Sequence, residues 1–253
     1  MKKLFASILF VPALLCAEGL RITDSSRGGS SALRQAALAY SIEKGKNIRI
    51  DRMSAGSAQR LLAGKMVDIA VFDEREIPQE LKNKTSLPLG SEALILCVNA
   101  ANPVRKISSK DAREIFCSRR PRWSQYGGIP RDIHRMKLKD NAPNAGLDRE
   151  IFNITASLEV FGINDSASAT LLIGGDTDAL GFIPPVPKSE KIRFLDIDGI
   201  SPSPANIASG KYPFSRRYIA VTVKESALAE DFLKYLKPQL EKLIREDQWL
   251  PCR

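Results

Sequence analysis

The stretch Asn47-Ile48-Arg49-Ile50-Asp51-Arg52-Met53-Ser54-Ala55-Gly56-Ser57, running on through Leu62-Ala63-Gly64 to Val67-Asp68-Ile69-Ala70-Val71-Phe72-Asp73, decides the fold. From Asn47 to Met53 apolar and polar residues alternate, which is the period of a strand. Ser54 to Ser57 is a polar turn, and Ala58 to Ala63 reads as a short helix stopped by Gly64. Val67 to Phe72 is a mostly apolar run that suits a buried strand, with Asp73 at its end. Upstream, Leu20 to Thr23 reads as another strand, followed by the loop Asp24-Ser25-Ser26-Arg27-Gly28-Gly29-Ser30. A helix then carries Leu33, Ala36, Ala37 and Tyr40 on one face and ends at Gly45. Strand, helix, strand, helix, strand implies a parallel sheet with right-handed crossovers. Ligands of such sheets gather beyond the carboxyl ends of the strands, where Asp24 to Ser30, Ser54 to Ser57 and Asp73 all fall.

The alternation continues downstream. Ala93 to Asn99 reads as a strand, and Ser108 as the cap of a helix with Ala112, Ile115 and Phe116 on one face. Asp132 to Leu138 can form a strand, Asn141 to Gly146 a loop, and a helix with Ile151 and Phe152 follows. Ala179 to Ile183 is a short strand ended by Pro184-Pro185, and Tyr218 to Val223 is another. A helical tail begins at Ser226 and is interrupted at Pro238. No internal repeat or low-complexity tract occurs. The 253 residues are 43% hydrophobic and 26% charged, with a formal net charge of +9. That composition supports a packed core and excludes wholesale disorder. No apolar stretch reaches the ~18 residues of a membrane span.

Lys2 and Lys3 precede an apolar run from Leu4 to Cys16, the order of a secretory signal. Cleavage is expected after Ala17, which places the mature chain in the periplasm or otherwise outside the cell and, by removing two lysines, lowers the charge from +9 to +7. Cys16 raises lipidation, but Leu15 stands where that pathway wants a small residue. In an oxidising compartment Cys97, Cys117 and Cys252 can form at most one intramolecular pair, and any of the three pairings is open. Cys97 lies within Ala93-Leu94-Ile95-Leu96-Cys97-Val98 and suits a buried thiol, which leaves Cys117 with Cys252. No cysteine or histidine spacing suggests a metal, and no cofactor motif is present.

The chemistry suggested is anion capture. Each Ser/Gly-rich turn precedes a helix, so free backbone N–H groups converge and the helix dipole favours an anion there. Asp73 is then the odd member, because a carboxylate repels an anion unless the ligand carries a proton to donate. Monohydrogen phosphate has such a proton and sulfate has none, so an acceptor at Asp73 would select phosphate. Hydrolytic catalysis fares worse: His134 is the single histidine, in a strand between Ile133 and Arg135, with nothing marking a triad around it. No P-loop and no GxGxxG occurs.

Several longer stretches resemble the phosphate ABC-transporter substrate-binding proteins of the type II periplasmic binding protein superfamily. Asn102-Pro103-Val104, Ile107-Ser108, Asp111, Ile115-Phe116 and Trp123-Ser124-Gln125-Tyr126-Gly127-Gly128 resemble that family's second-lobe signature. Ile207-Ala208-Ser209-Gly210-Lys211-Tyr212-Pro213-Phe214-Ser215-Arg216 resembles its return segment. Gly56-Ser57 with Leu62-Ala63-Gly64 and Val67-Asp68-Ile69-Ala70 resembles its second strand-turn-helix, and Ala179-Leu180-Gly181-Phe182 its Ala-Ile-Gly-Tyr element. The likeness covers nearly all of the mature chain in order.

The resemblance implies an α/β, two-lobed fold, each lobe a mostly parallel sheet flanked by helices, with the ligand in a cleft between them. Lobe 1 would hold 18–92 with 213–253, and lobe 2 would hold 93–212 with the crossover segments. It implies a non-enzymatic protein that delivers phosphate or a similar small oxyanion to an ABC permease, touching the membrane only through that transporter. Gly56 and Ser57 match the donor turn, Asp73 matches the proton acceptor, and Ser25, Ser26, Ser30 and Ser31 lie where the first Ser/Thr-rich turn lies, with Ser25 and Ser26 favoured as the closest to the strand end. The family's arginine and Ser-Gly-Thr triplet have no counterpart: the second-lobe helix start reads Asn144-Ala145-Gly146-Leu147-Asp148. Arg135 or Lys139 is then expected to bring the positive charge, with backbone near Asn144 to Gly146. The missing triplet motivates an alternative, a binding or sensor module that kept the fold and changed its ligand or took a protein partner. Nucleic acid is not an expected partner, since the basic residues are dispersed and the densest cluster, Arg119-Arg120-Pro121-Arg122, is short. A monomer is expected.

Overall fold

The structure, a computed structural model, describes residues 19–26, 31–139, 147, 151, 160–184, 189–223 and 226–240. The expected signal segment, Asn144, Gly146 and Cys252 lie outside the described residues. The chain opens with β1 (Gly19–Asp24), α1 (Ser31–Lys44), β2 (Asn47–Arg52), α2 (Ala55–Ala63) and β3 (Ile69–Asp73). The expected alternation is thus present, and α2 starts three residues earlier than the apolar pattern suggests. The reason is Ser54, whose side chain caps the helix by accepting from the Ser57 N–H, a local effect that hydrophobic period does not report. Gly45 at φ 64° turns the chain out of α1, a conformation that costs glycine little.

β4 (Thr85–Ala93) carries the chain to the edge of the first sheet, and β5 (Ile95–Asn99) begins the second. The apolar run Ala93 to Asn99 is therefore the end of one strand, a crossing at Leu94, and a new strand. The second sheet is completed by β7 (His134–Leu138), β8 (Phe161–Ile163), β9 (Ala179–Ile183) and β10 (Ile192–Phe194). β6 (Lys106–Ile107) and β11 (Asp196–Ile197) pair separately, while α3 (Ser109–Cys117), α4 (Ser166–Gly175) and α5 (Pro204–Ala208) connect them. The return is β12 (Ser215–Thr222), which re-enters the first sheet and leads to α6 (Ala227–Leu236). The strand orders are β2-β1-β3-β12-β4 and β10-β5-β9-β7-β8. β1, β2 and β3 are parallel, whereas β12 runs antiparallel to both β3 and β4. In the second sheet β7 is parallel to β8 and β9, and β5 is antiparallel to β9 and β10. The antiparallel members next to the crossing are the strands by which the chain leaves and re-enters a lobe.

These directions orient the site. At the crossing Ala93 pairs with Ser215, and the Leu94 N–H donates to the Phe214 carbonyl at 2.9 Å. Along β12, Tyr218 opposite Asp73 is the β3-paired residue nearest that crossing. The carboxyl ends of β3 and its parallel neighbour β1 therefore face the crossing. In the second sheet Ile183 pairs with Ile95, so β9 also ends there, as do β7 and β8, which run parallel to it. Both sheets point their carboxyl ends at the space between the lobes.

Each lobe has its own apolar core. In the first, Leu20, Ile22, Tyr40, Phe232 and Leu236 pack on one sheet face, and Leu62, Phe72 and Val221 on the other. In the second, Leu96, Phe116, Trp123, Phe182 and Phe214 meet. The Trp123 indole is wholly buried and donates to the Asp178 carbonyl at 2.9 Å. A Cβ added to Gly128 would lie 2.8 Å from Trp123 Cβ, so the Trp-to-Gly-Gly signature is a close-packing requirement. Cys97 is fully buried, with its thiol directed at the Gly181 carbonyl, and burial pushes its pKa up. It is thereby unreactive. Among the described residues no helix is long and apolar enough to cross a membrane.

Tyr40 on α1 donates to Asp231 on α6 at 2.6 Å. Burial, with help from Asp231, pushes the Tyr40 phenol up from 10.0 to about 12. The folded chain then holds a proton that the unfolded chain releases, so this contribution is whole below pH 10 and is lost as pH rises through about 12. Denaturant melts should show stability falling over that window, and Tyr40→Phe should flatten the slope.

Candidate functional site

The first-lobe strand ends bring the expected serines, glycine and aspartate together along the carboxyl edge of β1, β2 and β3, but much of their hydrogen-bonding capacity is already used. The Ser25 hydroxyl donates to the Val71 carbonyl at 2.5 Å, and the Ser25 N–H donates to the same oxygen at 3.1 Å. Ser26 places both its N–H, at 2.9 Å, and its hydroxyl, at 2.5 Å, on Asp24 Oδ1. A hydroxyl has one proton to donate, so these two serines hold β1 to β3 and shape the turn in this state.

The turn before α2 is more open. Ser57 turns its N–H to Ser54 Oγ at 3.3 Å, while Gly56 is exposed in the first turn of α2, where helix geometry gives its N–H no intrahelical acceptor. A cation that the sequence reading missed stands beside it. Arg60, one helical turn after Gly56, donates from Nη2 to Ser57 Oγ at 3.2 Å, and its Nη1 would be 3.8 Å from a Cβ on Gly56. The spacing i to i+4 was the available signal, since such residues share a helix face.

Asp73 departs most from expectation. It is buried, and its carboxylate is clamped by arginine. Oδ1 accepts from the Arg75 N–H at 3.0 Å and from Arg75 Nε at 3.1 Å. Oδ2 accepts from Arg75 Nη2 at 2.7 Å and lies 3.2 Å from Arg216 Nε. A carboxylate offers about four lone-pair positions, and in this structure three hydrogen bonds and an ion pair draw on them. Next to this clamp, Arg217 Nη1 donates to Glu74 at 2.6 Å, and the Tyr218 hydroxyl donates to Glu92. Arg75 was readable from its position two residues after Asp73. Arg216 was not, because only the β12–β3 pairing brings the return strand to Asp73.

In the second lobe the two proposed cations separate. Lys139 directly follows the carboxyl end of β7, is exposed, and has its stem across Gly162, whose added Cβ would stand 3.0 Å from Lys139 Cγ. Arg135 lies at the other end of β7, paired with Leu180 early in β9. Its Nη1 donates to the carbonyls of Ile115, at 3.1 Å, and Ser118, at 2.5 Å, and its Nη2 to that of Arg119 at 3.4 Å. Arg135 is 4% exposed, and its guanidinium caps the C-terminal end of α3. The expectation that Arg135 faces the ligand is thereby corrected: alternation along β7 turns it inward, and register puts it at the distal edge. It borders a cavity of about 660 Å³ with Arg119, Arg120, Asp132, His134 and Phe161, also at that distal end. His134 pairs there with Asp176 at 2.7 Å, away from the strand ends that face the crossing.

Among the described residues no group of histidine, cysteine, aspartate and glutamate could hold a metal ion. The arrangement can hold an anion through N–H and guanidinium donors.

Comparison with known proteins agrees with this architecture. The family described as PBP superfamily domain matches residues 20–237. The phosphate-binding protein PstS of Bacillus subtilis (strain 168) is 26% identical over 236 residues, covering 87% of this chain and 77% of that protein. The crystal structure of an ABC-type phosphate transport receptor from Vibrio cholerae superposes with a TM-score of 0.71 at 19% identity, covering 92% of this chain and 99% of that one. PstS from Borrelia burgdorferi does so with a TM-score of 0.71 at 16% identity, covering 93% and 100%. At these identities the two structures speak to the fold.

Arg135→Ala would strand buried carbonyls at the end of α3. It should lower unfolding stability by about 2 kcal/mol while leaving anion affinity unchanged by calorimetric titration. A large loss of affinity in a variant that remains folded would return Arg135 to the site.

Proposed function

The chain belongs to the PBP superfamily domain family, and on that premise we propose that it is an exported solute-binding protein that captures phosphate or a similar small oxyanion for an ABC transporter. The observation that carries this reading is the donor-rich edge of the first lobe. The Gly56 N–H at the start of α2, Arg60 beside it and the outer face of Arg75 all lie along the strand ends that face the second lobe. Anions are held at such places by backbone donors and helix dipoles, with guanidinium adding charge-assisted hydrogen bonds. Phosphate is the oxyanion put first because the Bacillus subtilis relative is named for binding it.

In this reading Lys139 approaches from the second lobe, with Asn144 and Gly146 adding backbone donors as the lobes close. The lobes are 18–92 with 213–253 and 93–212, and closure about the two crossing segments reports occupancy to a permease. The protein performs no reaction on the ligand. The order of lysines, apolar run and Ala17 at the N-terminus supports export to the periplasm or beyond, and the protein acts as a monomer.

Ligand-dependent stabilisation tests the proposal. Phosphate at about a hundredfold excess over its Kd should add ~2.7 kcal/mol to unfolding stability, increasing with the logarithm of concentration. Melting temperatures that stay flat up to millimolar phosphate would overturn it.

A further inference from the structure

Resting on that oxyanion reading, the clamp on Asp73 carries the question of ligand class further. We propose that Arg75, seated on Asp73, is the group that meets the anion, and that the site takes tetrahedral oxyanions whether or not they carry a proton, sulfate as well as phosphate, instead of selecting phosphate by its proton.

The argument is one of available positions. Selection through a carboxylate needs a lone pair open to the ligand's hydroxyl. In this structure Arg75 and Arg216 occupy the acceptor positions of both Asp73 oxygens at 2.7–3.2 Å. The Arg75 backbone N–H is one of those donors, so the 3-10 turn after β3 is itself tied to the carboxylate. The Arg216 side chain is 10% exposed and cannot easily withdraw. Arg75 is different: its side chain is 53% exposed, with Nε and Nη2 on Asp73 and Nη1 directed elsewhere. A guanidinium held by two of its donors on a fixed carboxylate presents the rest in a rigid fork. That fork matches the edge of a tetrahedral oxyanion and makes no demand for a proton on it.

Net charge does not supply the preference. Around the clamp Arg75, Arg216 and Arg217 offset Asp73, Glu74 and Glu92 charge for charge. What the cluster offers is outward-facing donors with its carboxylate acceptors turned inward, and sulfate and phosphate satisfy such donors equally. Discrimination between them requires an acceptor left unpaired against the wrong ligand, and Asp73 is not left unpaired.

Calorimetric titration of the mature protein with inorganic phosphate and with sodium sulfate, each alone and in competition, tests this. The two anions should bind within about tenfold of each other and displace one another. Phosphate binding that about a hundredfold excess of sulfate neither matches nor competes with would overturn the inference and leave the oxyanion reading standing. Failure of both anions to bind would remove that reading, and this inference with it. Arg75→Ala is the second arm. Removing the side chain uncovers lone pairs on Asp73, so affinity for both anions should fall and the phosphate-to-sulfate ratio should rise about tenfold. An unchanged ratio in a variant that melts like the parent would overturn the role given to Arg75.

Discussion

The antiparallel meeting of β4 and β12 at Ala93 and Ser215, with Leu94 bonded to Phe214, is the constraint on which the rest of the molecule depends. One strand leaves the first lobe there and the other returns beside it. Because β12 then runs antiparallel to β3, the parallel strands of the first lobe must end facing the crossing. Because β9 ends opposite the first residue of β5, the parallel strands of the second lobe must do the same. The facing of the two sheet edges is thus a consequence of strand direction.

The same crossing assembles the charged cluster. Arg216 and Arg217 belong to the return strand, far in sequence from Asp73 and Glu74, and reach them only through the β12 ladder. Burying Asp73 without partners would be costly, and the two arginines offset that cost. Their price is that the carboxylate is spent. Asp73, which in sequence looks like a detector of a ligand's proton, holds Arg75 and Arg216 in this structure. Ser25 and Ser26 follow the same logic, since their hydroxyls satisfy a neighbouring carbonyl and a buried carboxylate first.

The elements that were easy to read have strong local causes. Ala179–Ile183 is a strand at the limits its apolar residues suggest, and α3 begins after Ser108, whose side chain accepts from the Asp111 N–H. β4 escaped notice because Thr85–Ala93 includes Pro88 and Gly90 and has no clean alternation. It is a strand because β12 pairs along its whole length, with an irregularity of register between Tyr218 and Ile219. Arg135 shows the limit at the site. Its charge and its place in a strand were legible, but which edge of the sheet it occupies depends on its pairing with Leu180.

The amino-acid sequence by itself determined the alternation of strands and helices, the Ser- and Gly-rich turns, and the family whose pattern they resemble. These are written in period, caps and turn residues, which act over a few positions and need no partner. Tertiary structure alone decided which distant groups meet: Asp73 with Arg216, Glu74 with Arg217, and Arg135 with the end of α3. An ionised side chain binds whatever lies within a few ångströms of it, and for most of these groups that neighbour is set by sheet register and burial instead of by adjacency along the chain.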